Sequence, residues 1–156
     1  MNKMKETLDE LLEFALIHKE AKIKKWENIL FEGLSGSGKT AITHEWAAEK
    51  EILLVPYDLS QDVSTLYGEN EFGVLEPKEA EDPVSLAKQL IFSTLYKYKD
   101  GKNFILLLDD YHRAEQANID AINYTIDTHK IVNPVNGEEV ELDNLLFTIA
   151  IKTVGL

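Results

Sequence analysis

Three glycines, a lysine and a threonine stand at fixed spacing within one short segment, Gly33–Thr40. The segment fits G-x-x-x-x-G-K-[ST] at every fixed position. Its residues are Gly33, Leu34, Ser35, Gly36, Ser37, Gly38, Lys39 and Thr40. Glycines let successive backbone N–H groups face one anion, and a following helix adds its positive N-terminal end. Lysine supplies a charge for the β- and γ-phosphates, and the threonine hydroxyl is a ligand for Mg²⁺. The segment predicts a nucleoside triphosphate site in which Lys39 also has a catalytic role.

A pair of carboxylates, Asp109 and Asp110, ends the apolar run 104–108. A continuous apolar run is typical of a strand covered on both faces. In open parallel sheets ligands bind at the carboxyl ends of the strands. We therefore expect Asp109 to hold Mg²⁺, directly or through water, and Asp110 to orient the attacking water as a catalytic residue. A solvated strand end would also carry such acids, but the intact loop upstream favours the metal site.

Helical and strand patterns alternate along the chain and would position these two motifs. An amphipathic helix is predicted over 2–26, because its apolar residues follow helical spacing. Asn136-Gly137 predicts a two-residue turn in a hairpin over 130–142, and Pro56 predicts an edge strand. The other predicted elements are strands at 28–31, 51–57, 103–108 and 145–151 and helices at 39–50, 83–98 and 115–128. This alternation predicts a three-layer α/β/α fold with a parallel sheet.

Composition excludes several classes of function. The net charge is −12, and the single arginine is Arg113, so no nucleic acid partner is expected. There is no cysteine, which excludes disulfides, thiolate catalysis and zinc-ribbon sites. No apolar stretch is long enough to span a membrane, and the N-terminus lacks a signal-peptide pattern. We expect a cytoplasmic protein without a membrane partner.

The order of the two motifs resembles the additional-strand, catalytic-acid branch of phosphate-loop ATPases, because one strand separates them and an acid follows Asp109 directly. The segment 108–114, LDDYHRA, is similar to the L-D-E-I-N-R-A block of the MoxR, CbbQ and dynein-related (midasin-like) AAA+ ATPases. The hairpin at Asn136-Gly137 resembles their pre-sensor hairpin, and 146–154 resembles their strand ending in A-T-x-N-P. The resemblance covers about residues 28–155. It implies ATP with Mg²⁺, remodelling of a protein partner, and a homo-oligomeric ring.

Three positions depart from that family's pattern. Asp110 replaces a catalytic Glu and is shorter by one methylene. Thr153 replaces the sensor Asn, and its hydroxyl could still bond water or the γ-phosphate. His112 replaces the Asn before Arg113 and is expected to face solvent at a helix entry. Arg113 itself would either face a neighbouring subunit's nucleotide or stabilise the loop before the helix.

Parts of a complete AAA+ core are not found in this sequence. No arginine follows Arg113, so the sensor arginine and the arginine finger have no candidates there. We expect a helix, 1–27, packing on a P-loop core, 28–156, that has four strands and lacks the fifth strand and the lid. Residues of a longer protein, or another chain, would supply these missing parts. Light scattering tests this expectation, because a monomer that binds nucleotide would count against the need for a partner. Tyr67-Gly68 and Phe72-Gly73 stand where such ATPases place pore-facing insertions, although ordinary loop packing is favoured.

Three functions remain open from the sequence. The leading hypothesis is an AAA+ ATPase core that couples ATP binding and hydrolysis to remodelling of a protein. The second is a nucleotide-binding scaffold without hydrolysis, which the residues at 110 and 153 and the missing arginines support. The third is a small P-loop kinase. That class needs several lid arginines around the transferred phosphoryl group, and this chain has one arginine.

Overall fold

Helices and strands alternate along the residues that the computed structural model describes, 2–34, 36–62 and 82–154. The helices are α1 (Lys3–Glu20), α2 (Lys39–Glu49), α3 (Pro83–Leu95) and α4 (Gln116–Thr128). The strands are β1 (Ile29–Leu34), β2 (Leu53–Pro56), β3 (Phe104–Leu108), β4 (Lys130–Val132), β5 (Glu139–Glu141) and β6 (Leu145–Val154). Short 3₁₀ turns, Tyr96–Tyr98 and Tyr111–Arg113, follow α3 and β3.

Four of the strands form one parallel sheet in the order β1-β6-β3-β2. This confirms the predicted α/β fold with a parallel sheet. β2 lies at one edge, as Pro56 predicts, because proline has no N–H to give to a second neighbour. β1 lies at the other edge and pairs, within the described residues, with β6. The sheet thus places the strand that leads into the glycine-rich loop beside a strand ten residues long.

β3 is the centre of the core, and all five of its residues are buried. Successive side chains of a strand point to opposite faces. Phe104, Leu106 and Leu108 pack in the cluster that includes α3 and α4. Ile105 and Leu107 pack in the cluster that includes α1 and α2. Helices therefore cover both faces of the sheet, which gives the three layers.

α1 docks on α2 through a buried tryptophan and a small set of polar contacts. The Trp46 side chain is fully buried, and its Nε1 donates to Asp9 Oδ1 at 2.9 Å. That hydrogen bond, together with Lys50 at 3.0 Å, holds the pKa of the Asp9 carboxyl below its usual range. Lys5 Nζ lies 2.7 Å from Glu49 Oε1. The N-terminal helix is therefore part of the same packed body as the sheet.

α1 ends at Glu20, six residues earlier than the sequence predicts. The reason is a Schellman motif. The Ile23 N–H donates to His18 O at 2.9 Å, and the Lys22 N–H donates to Lys19 O at 3.1 Å. The position after the cap, Lys22, is left-handed with φ 59°. Glycine is the usual residue there, so the sequence carries no signal for this ending.

Lys22→Gly is expected to stabilise the protein by about 1 kcal/mol, because glycine adopts the left-handed conformation without the steric cost of a Cβ. Urea denaturation followed by circular dichroism measures the change. The matched control is Lys25→Gly, since Lys25 is not among the residues with positive φ. At position 25 a glycine only adds conformational entropy to the unfolded chain, so Lys25→Gly should not increase the free energy of unfolding. Equal changes in the two variants would contradict the strain at Lys22.

The predicted hairpin is present as β4 paired antiparallel with β5, but its connection is longer than two residues. The last strand pair is Val132 with Glu139. Beyond it the Asn133 N–H donates to Glu138 O, and the Gly137 N–H donates to Asn133 O, both at 2.8 Å. Proline at position 134 has no N–H, and Asn133 Oδ1 accepts the amide at 135, so the turn begins before Asn136-Gly137.

Candidate functional site

The carboxyl ends of three parallel strands meet at the glycine-rich loop. Gly33 of β1 pairs with Thr153 of β6, and Leu108, the last residue of β3, pairs with Ala150. A cleft of about 250 Å³, called here the phosphate-loop cleft, lies between the loop and these strand ends. Its lining residues are Gly36, Ser37, Gly38, Lys39, Thr40, Ala41, Asp109, Asp110, Ile151 and Thr153. Both motifs thus meet in one place.

The glycines of the loop have the conformations that the pattern requires. Gly36 and Gly38 are left-handed, with φ 80° and 81°, and Gly38 is the N-terminal cap of α2. A Cβ at Gly33 would lie 3.1 Å from Lys39 Nζ and 3.3 Å from Ser37 Oγ. Glycine at 33 therefore leaves room for the lysine to cross the loop. Gly33 and Leu34 belong to β1, and Ser35 lies outside the described residues.

The ammonium group of Lys39 lies over the loop. Its Nζ donates to Ser37 Oγ at 2.9 Å and to Leu34 O at 3.1 Å. Both acceptors are neutral, so neither cancels the charge of the lysine. α2 begins at this residue and runs for 11 residues, and its free N–H groups face the same region. The ammonium and the helix N-terminus together make this side of the cleft attractive to an anion.

Thr40 and Asp109, 69 residues apart in the chain, are in direct contact. Thr40 Oγ1 lies 3.2 Å from each carboxylate oxygen of Asp109. Both residues are half-buried, and Asp109 Oδ1 also accepts the Asp110 N–H at 2.8 Å. A hydroxyl and a carboxylate at this separation fit Mg²⁺, which prefers hard oxygen ligands and takes only one or two from a nucleotide-binding protein. The described residues hold no cluster of three or more His, Cys, Asp or Glu that could enclose a metal.

Asp110 is exposed and has a left-handed backbone, with φ 52° and ψ 41°. Aspartate and asparagine tolerate this conformation better than most residues do. The conformation starts the 3₁₀ turn, because Asp110 O accepts the Arg113 N–H at 2.9 Å. The carboxylate is placed at the cleft beside Asp109. Arg113 is exposed and does not line the cleft.

The end of β6 reaches the same cleft, since the strand is three residues longer than predicted and includes Thr153. His112 faces solvent, as expected, and it also makes a contact that was not expected. Its ring is exposed, yet its Nδ1 accepts the Thr153 N–H at 3.2 Å. No local sequence pattern signals this contact, because it joins residues 41 positions apart. The expected pore-facing pairs, Tyr67-Gly68 and Phe72-Gly73, lie outside the described residues.

A second cavity, of about 360 Å³, lies near the start of β6, at the end of the sheet away from the phosphate-loop cleft. Trp26 and His129 line it, and their rings stack with centroids 3.8 Å apart. His129 is 4% exposed, and its Nε2 has no hydrogen-bond partner among the described residues. Burial lowers the pKa of His129 to about 4, although contact with the Leu145 backbone opposes the shift. The sequence did not single out these residues.

None of the described helices is both long and apolar enough to cross a membrane.

Comparison with known proteins shows likeness in fold. No protein-family profile and no curated protein matches the chain. The structure of Hsp104 with ATPγS and FITC casein, in a closed state, aligns with a TM-score of 0.54 and 17% identity. A mutant of Thermotoga maritima RuvB aligns with a TM-score of 0.50 and 16% identity. Each alignment covers 96% of this chain, which spans 25% of the Hsp104 chain and 39% of the RuvB chain. The chain thus shares with these two structures an α/β fold with a parallel sheet and a P-loop.

Proposed function

We propose that this chain binds Mg·ATP in the phosphate-loop cleft and hydrolyses it within an assembled AAA+ ATPase. The observation that carries the proposal is the contact of Thr40 with Asp109, at 3.2 Å to both oxygens, beside the left-handed loop glycines. Two sequence motifs 69 residues apart meet there with the ligand types that a metal–triphosphate requires. A Gly- and Ser-rich loop that matched the motif by chance would not be expected to contact a half-buried carboxylate.

Each residue of the cleft has a task in the proposed reaction. The amides of the loop and the ammonium of Lys39 bind the phosphates, and Thr40 and Asp109 hold Mg²⁺. The metal ion would neutralise charge on the β- and γ-phosphate oxygens. Asp110 orients the attacking water and accepts its proton, and the hydroxyl of Thr153 bonds the water or the γ-phosphate. Water then attacks the γ-phosphorus in line, and ADP leaves.

The finer assignment is to the MoxR, CbbQ and dynein-related branch, acting on a protein partner. It is supported by the segment 108–114 and by the hairpin that precedes β6. The Hsp104 structure was determined with ATPγS and FITC casein, which supports a protein as the partner here. We further propose a cytoplasmic homo-oligomeric ring. In it, 28–156 forms the P-loop core, 1–27 packs on that core, and other residues or chains supply the arginines that are not found after Arg113.

Asp110→Asn is expected to leave Mg·ATP binding within about twofold of wild type and to lower ATP turnover roughly 100-fold or more, because a general base is removed. Asparagine also tolerates the left-handed backbone at this position, so the fold should be kept. Phosphate release measures turnover, and calorimetry measures binding. Asp143→Asn is the matched control, since that exposed carboxylate precedes β6 at the far end of the sheet.

A second candidate function is nucleotide binding without hydrolysis, favoured by the short acid at 110 and by threonine at 153. Tight binding without turnover, even in an assembled oligomer, would support this scaffold role and contradict the ATPase. Phosphate transfer from ATP to a nucleoside or nucleotide would contradict both functions and indicate a kinase.

A further inference from the structure

The ladder between β3 and β6 ends before β6 does. Its last pair is Leu108 with Ala150, whereas β6 continues to Val154 and pairs over those residues with β1. Beyond Ala150 the side of β6 that faces β3 has no strand beside it among the described residues. The 3₁₀ turn that follows Asp110 occupies that place and contacts β6.

One side chain of that turn accepts a backbone N–H of β6 that has no partner in β3. His112 Nδ1 lies 3.2 Å from the Thr153 nitrogen. A backbone N–H is always a donor, so Nδ1 must accept, and the neutral ring carries its proton on Nε2. The turn itself is fixed by two backbone hydrogen bonds, Arg113 N–H to Asp110 O at 2.9 Å and Ala114 N–H to Tyr111 O at 3.1 Å.

We propose that His112 is a positioning residue for the phosphate-loop cleft. Its ring holds the end of β6 against the turn that begins at Asp110. Thr153 is thereby kept at the same cleft as the two aspartates. The inference rests on the proposed function of that cleft. It assigns to His112 a task in the geometry of the site rather than contact with the nucleotide.

The chemistry makes a specific prediction about replacements at 112. An asparagine offers Oδ1 at nearly the position of Nδ1 and accepts the same N–H. A leucine has similar size and accepts nothing. Loss of a neutral hydrogen bond at the exposed end of a strand corresponds to an effect of about fivefold. We therefore expect His112→Leu to impair the site and His112→Asn to preserve it.

Two measurements test the inference. The first is hydrogen exchange of the Thr153 amide by NMR without nucleotide, where His112→Leu should exchange about fivefold faster and His112→Asn should match wild type. The second is ATP turnover, where His112→Leu should lower kcat about fivefold and change KM less than twofold. His44→Leu is the matched control, because His44 is an exposed histidine on α2 that does not line the cleft.

The outcomes separate the inference from the proposed function. Unchanged Thr153 exchange in His112→Leu overturns the inference, as does faster exchange with an unchanged kcat. If His112→Asn does not match wild type in both measurements, the inference is overturned as well, since an accepting atom at this position would then not be what holds Thr153. A wild-type chain that binds Mg·ATP without turnover, in every assembly tested, overturns hydrolysis itself and with it the positioning role, whatever the amide exchange shows.

Discussion

Lys39→Ala is expected to weaken Mg·ATP binding roughly 10- to 100-fold, because it removes a charge-assisted contact to the phosphates. In the structure the Nζ of Lys39 lies over the loop on two neutral acceptors, Ser37 Oγ and Leu34 O. A triphosphate offers stronger, charged acceptors within reach of the same flexible side chain. Isothermal calorimetry or fluorescence of a labelled ATP analogue measures the change in Kd. Removal of Mg²⁺ with EDTA should weaken binding to wild type as well.

The matched control for this variant is Lys102→Ala. Lys102 is exposed just before β3, at the opposite end of that strand from Asp109, so the net charge changes equally without a change at the cleft. Its Kd should stay within about twofold of wild type, since exposed distant charges are screened by salt. Equal losses in both variants would indicate only a general electrostatic attraction. An unchanged Kd in Lys39→Ala would contradict the proposed site.

The phosphate loop could be predicted from sequence because its chemistry requires fixed residue types at fixed spacing. Gly36 and Gly38 adopt left-handed conformations that few other residues tolerate. Asp109 was predictable for a related reason, since the fully apolar run before it marks a central strand. That strand's central position in a parallel sheet then brings its end to the loop.

Other features escaped prediction because they depend on tertiary contacts or on unusual residues. The ending of α1 rests on a left-handed lysine, Lys22, where glycine is the usual signal. The link between His112 and Thr153 depends on where one strand ladder stops and another continues. Periodicity reports which face of a strand is buried, but it does not report the length of the partner strand. The sequence therefore predicts that Asp109 and Asp110 end a strand beside the loop, whereas it carries no signal for the hydrogen bond between His112 and Thr153.

The two ends of the parallel sheet differ in their exposure to solvent. The carboxyl ends carry the loop, the acids and exposed polar groups. At the other end α4 finishes at Thr128 and is capped by His129, whose left-handed backbone donates to Thr125 O and accepts from the Leu142 N–H, both at 2.8 Å. The ring is thereby fixed against Trp26 and sealed from solvent. A titratable group buried in this way links the stability of the fold to pH.

Lowering the pH from 7.5 to 5 is expected to cost about 2 kcal/mol of stability through His129 alone. Burial lowers its folded-state pKa to about 4, whereas an unfolded histidine titrates near 6.5. Between those values the unfolded chain binds more protons than the folded chain, so stability falls as the pH falls. The contribution is complete above pH 6.5 and is lost progressively down to about pH 4, by roughly 3 kcal/mol in total. Urea unfolding at the two pH values measures the difference.

The variant that isolates this effect is His129→Asn, because asparagine tolerates the left-handed backbone and does not titrate. It should be less stable than wild type at pH 7.5, since it loses the stacking on Trp26, yet its stability should change about 2 kcal/mol less between the two pH values. His44→Asn, at an exposed site on α2, should keep the wild-type pH dependence. Wild type and His129→Asn with the same pH dependence would show that the ring becomes protonated without unfolding. The cavity beside Trp26 would then admit the charged form, and this end of the sheet would be open to solvent rather than sealed.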